Sequence, residues 1–116
     1  MSGAIETETD GDVVVAALVG RLDSSNSKDL EQELMRHIDG RDAVVLDFRR
    51  LDYISSAGLR VVLLTGKKMR ASRGRLALCN LPEPVREVFE ISGFLSIFSV
   101  YDDRGAAVSA VAKPAA

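Results

Sequence analysis

Two adjacent hydroxyl side chains, Ser55 and Ser56, stand where an apolar, strand-like run (residues 43–48) gives way to a helix-like run (residues 59–70). The first turn of a helix offers unpaired backbone N–H groups and a partial positive charge. A serine placed there can accept a hydrogen bond from the helix and cap it. It can equally carry a phosphoryl group, whose negative charge suits a helix start. The residues alone leave both roles open for this serine pair.

The other reactive residue types do not form a catalytic or metal-binding pattern. His37 is the only histidine, and a zinc site needs several ligands at fixed spacing. A serine hydrolase needs Gly-x-Ser-x-Gly at the turn, which is absent here, and His37 precedes the serine pair in the chain. Cys79 lies in an apolar run, which is typical of a buried and unreactive thiol. We therefore predict no catalytic residue, no metal site, no cofactor and no enzymatic activity.

Two carboxylates, Asp47 and Asp52, lie close to the serine pair in the sequence. They either orient a hydroxyl or a partner's basic group, or they cap turns, as aspartates commonly do. The residues themselves give no reason to prefer one of these roles.

The length and composition limit the classes of partner. The chain has 116 residues, 47% apolar and 28% charged, which predicts one domain over residues 1–116 with frayed ends at 1–3 and 113–116. The net charge of −2 argues against direct binding of nucleic acid, which needs a basic excess. No signal peptide and no membrane-spanning run are recognisable, so we predict no membrane insertion. A single cysteine favours a cytoplasmic location.

The elements that would position the serine pair alternate between strand and helix. Residues 5–9 and 13–19 flank the Asp-Gly turn at 10–12 and predict an N-terminal hairpin. Further strands are predicted at 43–48, 75–79 and 98–101. A first helix is predicted to start at Ser24, Ser25 or Asn26 and to end at Asp39-Gly40. Further helices are predicted at 57–71 and 85–91, and a last one starts at Asp102-Asp103 and runs to about residue 111. This order predicts an α/β fold, with a mixed, mostly parallel sheet of about four to five strands and about four helices.

On the second predicted helix, one apolar face is expected to pack into the core. This face carries Leu59, Val62, Leu63, Gly66 and Met69. Val61, Leu64 and Lys68 are expected to point elsewhere.

Several segments together resemble the STAS domain, and within it the small anti-sigma factor antagonists. The resemblance covers nearly the whole chain, and its segments are specific in combination. They are the run from Asp47 to Ile54 with Val44-Val45-Leu46 before it, Gly58-Leu59 after the serine pair, Gly20-Arg21-Leu22-Asp23 after the hairpin, and Ile91-Ser92-Gly93-Phe94.

The resemblance implies a STAS-like fold and a bacterial partner-switching regulator. It implies two partners: an anti-sigma factor that is also a serine kinase of the histidine-kinase-like ATPase fold, and a serine phosphatase. Binding of the antagonist to the anti-sigma factor would free the sigma factor. Phosphorylation of a serine at the start of the second helix would break that complex, and the phosphatase would reset it.

The chain departs from the family pattern at the phosphorylated position. The common form is Asp-Ser-Ser/Thr-Gly-Leu, with the phosphate on the residue before the glycine. Here that residue is Ala57, which cannot be phosphorylated. We predict Ser56 as the phosphoacceptor, with Ser55 second. The alternative is that the serines only cap the helix.

The predicted partner-binding surface surrounds the serine pair. It comprises Asp23, Ser24, Ser55, Ser56, Ala57, Gly58, Arg60, Val61 and Leu64. The sequence leaves a homodimer open. The alternative function within the same fold is a STAS subunit of a lipid-transport ABC system or a STAS scaffold that is not phosphorylated.

Overall fold

A computed structural model describes residues 3–113 of the protein. Its five strands are β1 (Ala4–Asp10), β2 (Val13–Leu22), β3 (Ala43–Ile54), β4 (Arg75–Cys79) and β5 (Val100–Tyr101). Its helices are α1 (Ser27–Ile38), α2 (Ser56–Ala71), α3 (Glu83–Ile91) and α4 (Arg104–Val111), with one 3₁₀ turn at Phe94–Ser96.

The strands form one sheet in the order β1-β2-β3-β4-β5. The β1–β2 pair is antiparallel, and every other neighbouring pair is parallel. The predicted α/β fold with an N-terminal hairpin, a mostly parallel sheet and four helices is therefore confirmed. A parallel sheet must be covered on both faces, and the helices do this unequally.

Helices α1, α2 and α3 cover one face of the sheet with a large apolar cluster. Its centre includes Leu22, Leu34, Phe48 and Phe89, all essentially inaccessible to solvent. Helix α4 covers the other face over a smaller cluster built on Val45, Cys79 and Ala107. The serine pair lies at the end of β3, where the chain passes into α2.

Strand β3 is longer than the predicted strand, since it continues to Ile54 instead of ending at residue 48. The reason is irregular pairing: the β2–β3 register shifts between Ala17 and Val19 and again between Gly20 and Arg21. These shifts change the spacing of buried residues from two to three, at Phe48, Leu51 and Ile54. A strict two-residue alternation could not reveal this extension.

The predicted core face of α2 is partly wrong. Val61 is 2% exposed and Thr65 is fully buried, whereas Leu63 is only half-buried. The buried stripe is rotated because α2 packs against both the sheet and α1. Thr65 tolerates burial because its hydroxyl donates to the Val61 carbonyl at 2.9 Å.

The chain ends were predicted to fray, and residues 1, 2 and 114–116 lie outside the described range. At the described ends, the Lys113 backbone N–H donates to the Asp12 carboxylate at 3.3 Å. Gly3 packs against the backbone of β2 near Arg21 so closely that a Cβ would not fit.

Candidate functional site

The candidate site is formed by two loops at neighbouring ends of β2 and β3. Because these strands are parallel, the loop after β2 (residues 23–26) and the start of α2 meet at the same edge of the sheet. The Ser55 N–H donates to the Leu22 carbonyl at 3.0 Å and joins the two loops. The positions of the serine pair are therefore fixed by the sheet itself.

Ser55 is the N-cap of α2. Its backbone is extended, with φ −98° and ψ 179°, and its hydroxyl accepts a hydrogen bond from the Gly58 N–H at 3.4 Å. The side chain is half-buried. Of the two roles that the sequence left open, the capping role therefore belongs to Ser55.

Ser56 is the first residue of α2, and it is exposed. The first turn of α2 contains no acidic residue. The Ser56 side chain therefore stands in solvent at the positive end of a helix dipole that has no carboxylate of its own in that turn.

Two residues predicted to contact a partner are buried. Gly58 packs so tightly that a Cβ would lie 2.7 Å from both the Leu22 carbonyl oxygen and the Ile54 side chain. Val61 lies in the core beneath α2. The prediction that these two contribute side-chain or surface contacts is therefore wrong for the folded domain, because the helix faces that carry them point at the sheet.

The remaining predicted contact residues reach the surface. Ser24, Ser56 and Arg60 are exposed, while Ala57 and Leu64 are half-buried. Leu64 lies four residues beyond Arg60, which in turn lies four residues beyond Ser56, so the three follow one another along the helix. This leaves a mainly polar surface with a partly exposed leucine at its far end.

Asp23 organises the loop that faces the serine pair. Its carboxylate accepts hydrogen bonds from the Ser25 hydroxyl at 2.6 Å and the Ser25 N–H at 2.9 Å. Its own N–H donates to the Asn26 side chain at 2.9 Å. The pKa of Asp23 is lowered, mainly by the Ser25 hydroxyl and then by the Ser25 N–H. The loop therefore holds a carboxylate in its charged form.

Asp47 does not lie beside the serine pair. Its carboxylate accepts from the Arg49 N–H at 3.0 Å and from the Asn80 side chain at 3.1 Å. It stands level with Cys79 on the neighbouring strand, on the α4 side of the sheet. The suggestion that Asp47 orients a serine hydroxyl is therefore wrong. Asp52 is exposed within β3.

A groove of about 270 Å³ runs between α1 and α2 next to the serine pair. It is lined by Ser27, Lys28, Glu31, Gln32, Ala57 and Arg60. Sequence reasoning missed the four α1 residues, because only the packing of the two helices brings them to the site. The available signal was their place on the polar face of an amphipathic helix.

The groups considered for catalysis or metal binding are isolated from one another. His37 lies 3.8 Å from Glu33 on the surface of α1. Cys79 is buried, and burial raises the pKa of its thiol to about 12. Within residues 3–113 no group of three or more His, Cys, Asp or Glu side chains is arranged to hold a metal ion. No helix in that same range has the length and apolar character needed to cross a membrane.

Comparison with known proteins agrees with this architecture. The STAS domain profile matches residues 4–107. The protein is 57% identical over 99 residues to BtrV of Bordetella bronchiseptica, named as a candidate anti-sigma factor antagonist, with 84% of this chain and 85% of BtrV covered. It is 30% identical over 105 residues to the anti-sigma F factor antagonist of Paenibacillus polymyxa, covering 89% and 90% of the two chains.

A solved structure shares the fold. The phosphorylated form of the Bacillus cell fate determinant SpoIIAA superposes with a TM-score of 0.72 at 28% identity, over 93% of this chain and 99% of that one. The chain therefore belongs to the STAS domain family, and within it to the anti-sigma factor antagonists. These are non-enzymatic regulators, and the prediction that the protein is not an enzyme is confirmed.

Proposed function

We propose that this protein binds an anti-sigma factor that is also a serine kinase, and that phosphorylation of Ser56 releases it. A serine phosphatase then restores the unmodified form. The exchange takes place in the cytoplasm, between proteins, without direct contact with nucleic acid. The contact surface is formed by Asp23, Ser24, Ser55, Ser56, Ala57, Arg60 and Leu64.

The observation that carries the choice of Ser56 is the different exposure of the two serines. Ser55 is half-buried, and its hydroxyl is occupied by the Gly58 N–H. Ser56 is exposed at the first helical position, where a kinase can reach it. SpoIIAA, a relative of the same fold, has been solved in a phosphorylated form.

The physics of a phosphoserine accounts for dissociation without unfolding. Phosphorylation adds about −1.5 to −2 charges at neutral pH. The start of α2 tolerates this charge, because it has unpaired N–H groups and no acidic residue in its first turn. A partner surface packed over Ser56 would have to desolvate the same charge, which is costly unless it is paired. The free protein is therefore stabilised relative to the complex.

The test uses the serine kinase that we propose as the partner, in purified form, together with ATP. We expect incubation with kinase and ATP to phosphorylate the wild type at Ser56, as mapped by mass spectrometry, and Ser56→Ala to stay unmodified. Ser55→Ala serves as the matched control and should still be phosphorylated. A Ser56→Asp variant should bind the partner at least tenfold more weakly. Unmodified serines together with undiminished binding by Ser56→Asp would exclude the switch.

Ala57 favours a second candidate within the same family. Alanine stands at the position where the family usually carries the phosphate. In the second candidate, the protein keeps the partner-binding surface but is not phosphorylated. It would then act as a non-phosphorylated scaffold or as a STAS subunit of a lipid-transport ABC system. Neighbouring genes distinguish the candidates: kinase and phosphatase genes support the first, and transporter genes support the second.

A further inference from the structure

Arg60 occupies a special position relative to Ser56. The two residues are four apart within α2, so they lie on the same side of the helix with Cβ atoms about 5–6 Å apart. Both are exposed. Long side chains on a helix generally lean toward its N-terminus, which is the direction of Ser56 from Arg60. An anionic residue followed by a cationic residue four positions later is also the favoured order for such pairs.

The groove beside Arg60 contributes a second cation. Lys28 on α1 lines this groove together with Arg60 and Ala57, the residue that follows Ser56. Glu31 is the one carboxylate among the lining residues, so the two cations outnumber it. Within residues 3–113, neither Arg60 nor Lys28 takes part in an ion pair. Both cations are therefore available to an anion that appears next to Ala57.

We propose that Arg60 and Lys28 form an intramolecular clamp for a phosphoryl group on Ser56. The inference rests on the proposed phosphorylation and adds how the product is held. The planar guanidinium of Arg60 can donate two parallel hydrogen bonds to phosphate oxygens, whereas Lys28 acts as a mobile point charge across the groove. Arg60 is the main element of the clamp because it is attached to the same rigid helix as Ser56.

The clamp gives phosphorylation a second effect on the complex. Arg60 belongs to the proposed partner surface, and in the unmodified protein its guanidinium is free to contact a carboxylate on the anti-sigma factor. Once Ser56 is phosphorylated, the guanidinium turns to the phosphoryl group on its own helix. The same event therefore adds a negative charge to the surface and withdraws a positive one.

The clamp can be tested without any kinase. Phosphoserine is inserted at position 56 by nonsense suppression, and its second ionisation is followed by ³¹P NMR as the pH is varied. The dianion is the form that the clamp stabilises, so the clamp lowers the phosphate pKa. We expect Arg60→Gln to raise the titration midpoint by about 0.2–0.4 pH unit, and Lys28→Gln to raise it by less. Two carboxylates near the serine pair stay unchanged in all samples: Glu31 in the groove, and Asp23 on the loop that faces the serines.

The control is Arg70→Gln. Arg70 is an exposed arginine of the same helix, but it lies about 21 Å from Ser56 along the axis. We expect no change in the ³¹P midpoint. Equal midpoints for Arg60→Gln, Arg70→Gln and the parent would overturn the clamp. A shift of the same size in both variants would also overturn it, because it would reflect net charge alone.

Thermal unfolding provides a second readout. Arg60→Gln should lower the Tm of the phosphoserine protein and leave the Tm of the unmodified protein unchanged. Equal effects on both forms would assign Arg60 an ordinary structural role and reject the clamp. Because the phosphate is installed genetically, these results do not depend on the kinase. Failure of the clamp is thereby distinguishable from failure of Ser56 as the acceptor.

Discussion

The starts of α2 and α4 lie on opposite faces of the same sheet, and they are built differently. Helix α4 is capped by the Asp103 carboxylate, which accepts from the Ala106 N–H at 2.8 Å. Its first residue, Arg104, is paired with Glu8. Helix α2 is capped by a neutral hydroxyl at 3.4 Å, and its first turn has no acidic residue.

The two helix starts therefore differ in how much negative charge they already hold. At α4 the partial positive charge of the helix is already met by a carboxylate. At α2 the cap is a neutral hydroxyl with a long hydrogen bond, and Arg60 has no ion-pair partner within the described chain. A negative charge added at α2 therefore has favourable interactions to gain, whereas at α4 most of them already exist.

The largest expected effect concerns the close packing of the α2 start. In Gly58→Ala, the new Cβ would lie 2.7 Å from the Leu22 carbonyl oxygen, so the helix must shift away from β2. We expect a loss of about 3 kcal/mol in unfolding free energy, measured by urea denaturation.

The matched control is Gly105→Ala near the start of α4. There the added Cβ meets the Asp103 carboxylate at 3.4 Å, which is an ordinary contact. The variant should be neutral or more stable by about 0.5 kcal/mol. A comparable loss in both variants would contradict the idea that α2 alone is wedged against the sheet.

The next effect compares the two caps. Asp103→Ala removes a carboxylate cap with a short hydrogen bond, and should lower the free energy of unfolding by about 1–2 kcal/mol. Ser55→Ala removes a hydroxyl cap with a long hydrogen bond, and should lower the free energy of unfolding by about 0.5 kcal/mol. Both are measured by urea unfolding at neutral pH. Equal losses would mean that the hydrogen-bond lengths do not reflect the strengths of the two caps.

A smaller effect is expected when a negative charge is added to the first turn of α2. Ser56→Asp places a carboxylate in a first turn that has none, and should stabilise the unbound protein by about 0.5 kcal/mol. Ala106→Glu places one in the first turn of α4, where Asp103 already acts, and should give a smaller gain. If Ser56→Asp destabilised the free protein, the proposed tolerance of α2 for a phosphate would be refuted.

Much of the framework of this comparison could be predicted from local sequence. The hairpin turn was recognisable because an Asp-Gly pair, Asp10-Gly11, is typical of tight turns. In the structure Gly11 takes the positive φ, +63°, that such a turn requires. Strand β4 was predicted with the correct bounds, since its residues are continuously apolar after Arg75. A serine cap at the start of α2 was one of the two roles that the sequence left open, because capping depends only on residues within one turn.

The remainder depended on contacts between distant segments. The burial of Val61 follows from how α2 rests on the sheet and α1, and a helical wheel carries no such information. The approach of Lys28 to Arg60 needs two helices to pack side by side. The displacement of Asp47 from the serine pair follows from the register shifts that lengthen β3. In each of these cases the outcome was decided by tertiary packing, which the local sequence pattern does not encode.

The smallest expected effect is on the pH dependence of stability, and it comes from the ion pair at the start of α4. Arg104 lowers the pKa of Glu8 below its usual 4.5, through a hydrogen bond and then through its charge. A carboxyl whose pKa is lowered by folding adds stability above its unfolded pKa, and this is lost as the pH falls through the folded value. We therefore expect the Arg104–Glu8 pair to stabilise the protein at pH 7 and to stop doing so well below pH 4.5.

Glu8→Gln should accordingly narrow the difference in urea midpoint between pH 7 and pH 3, by a small amount because the pair is exposed. Glu90→Gln, an exposed glutamate of α3 outside the ion pairs of residues 3–113, is the control and should leave the difference unchanged. An unaltered pH difference in Glu8→Gln would show that Asp103 alone satisfies the start of α4. The contrast with α2 would then reduce to the two caps.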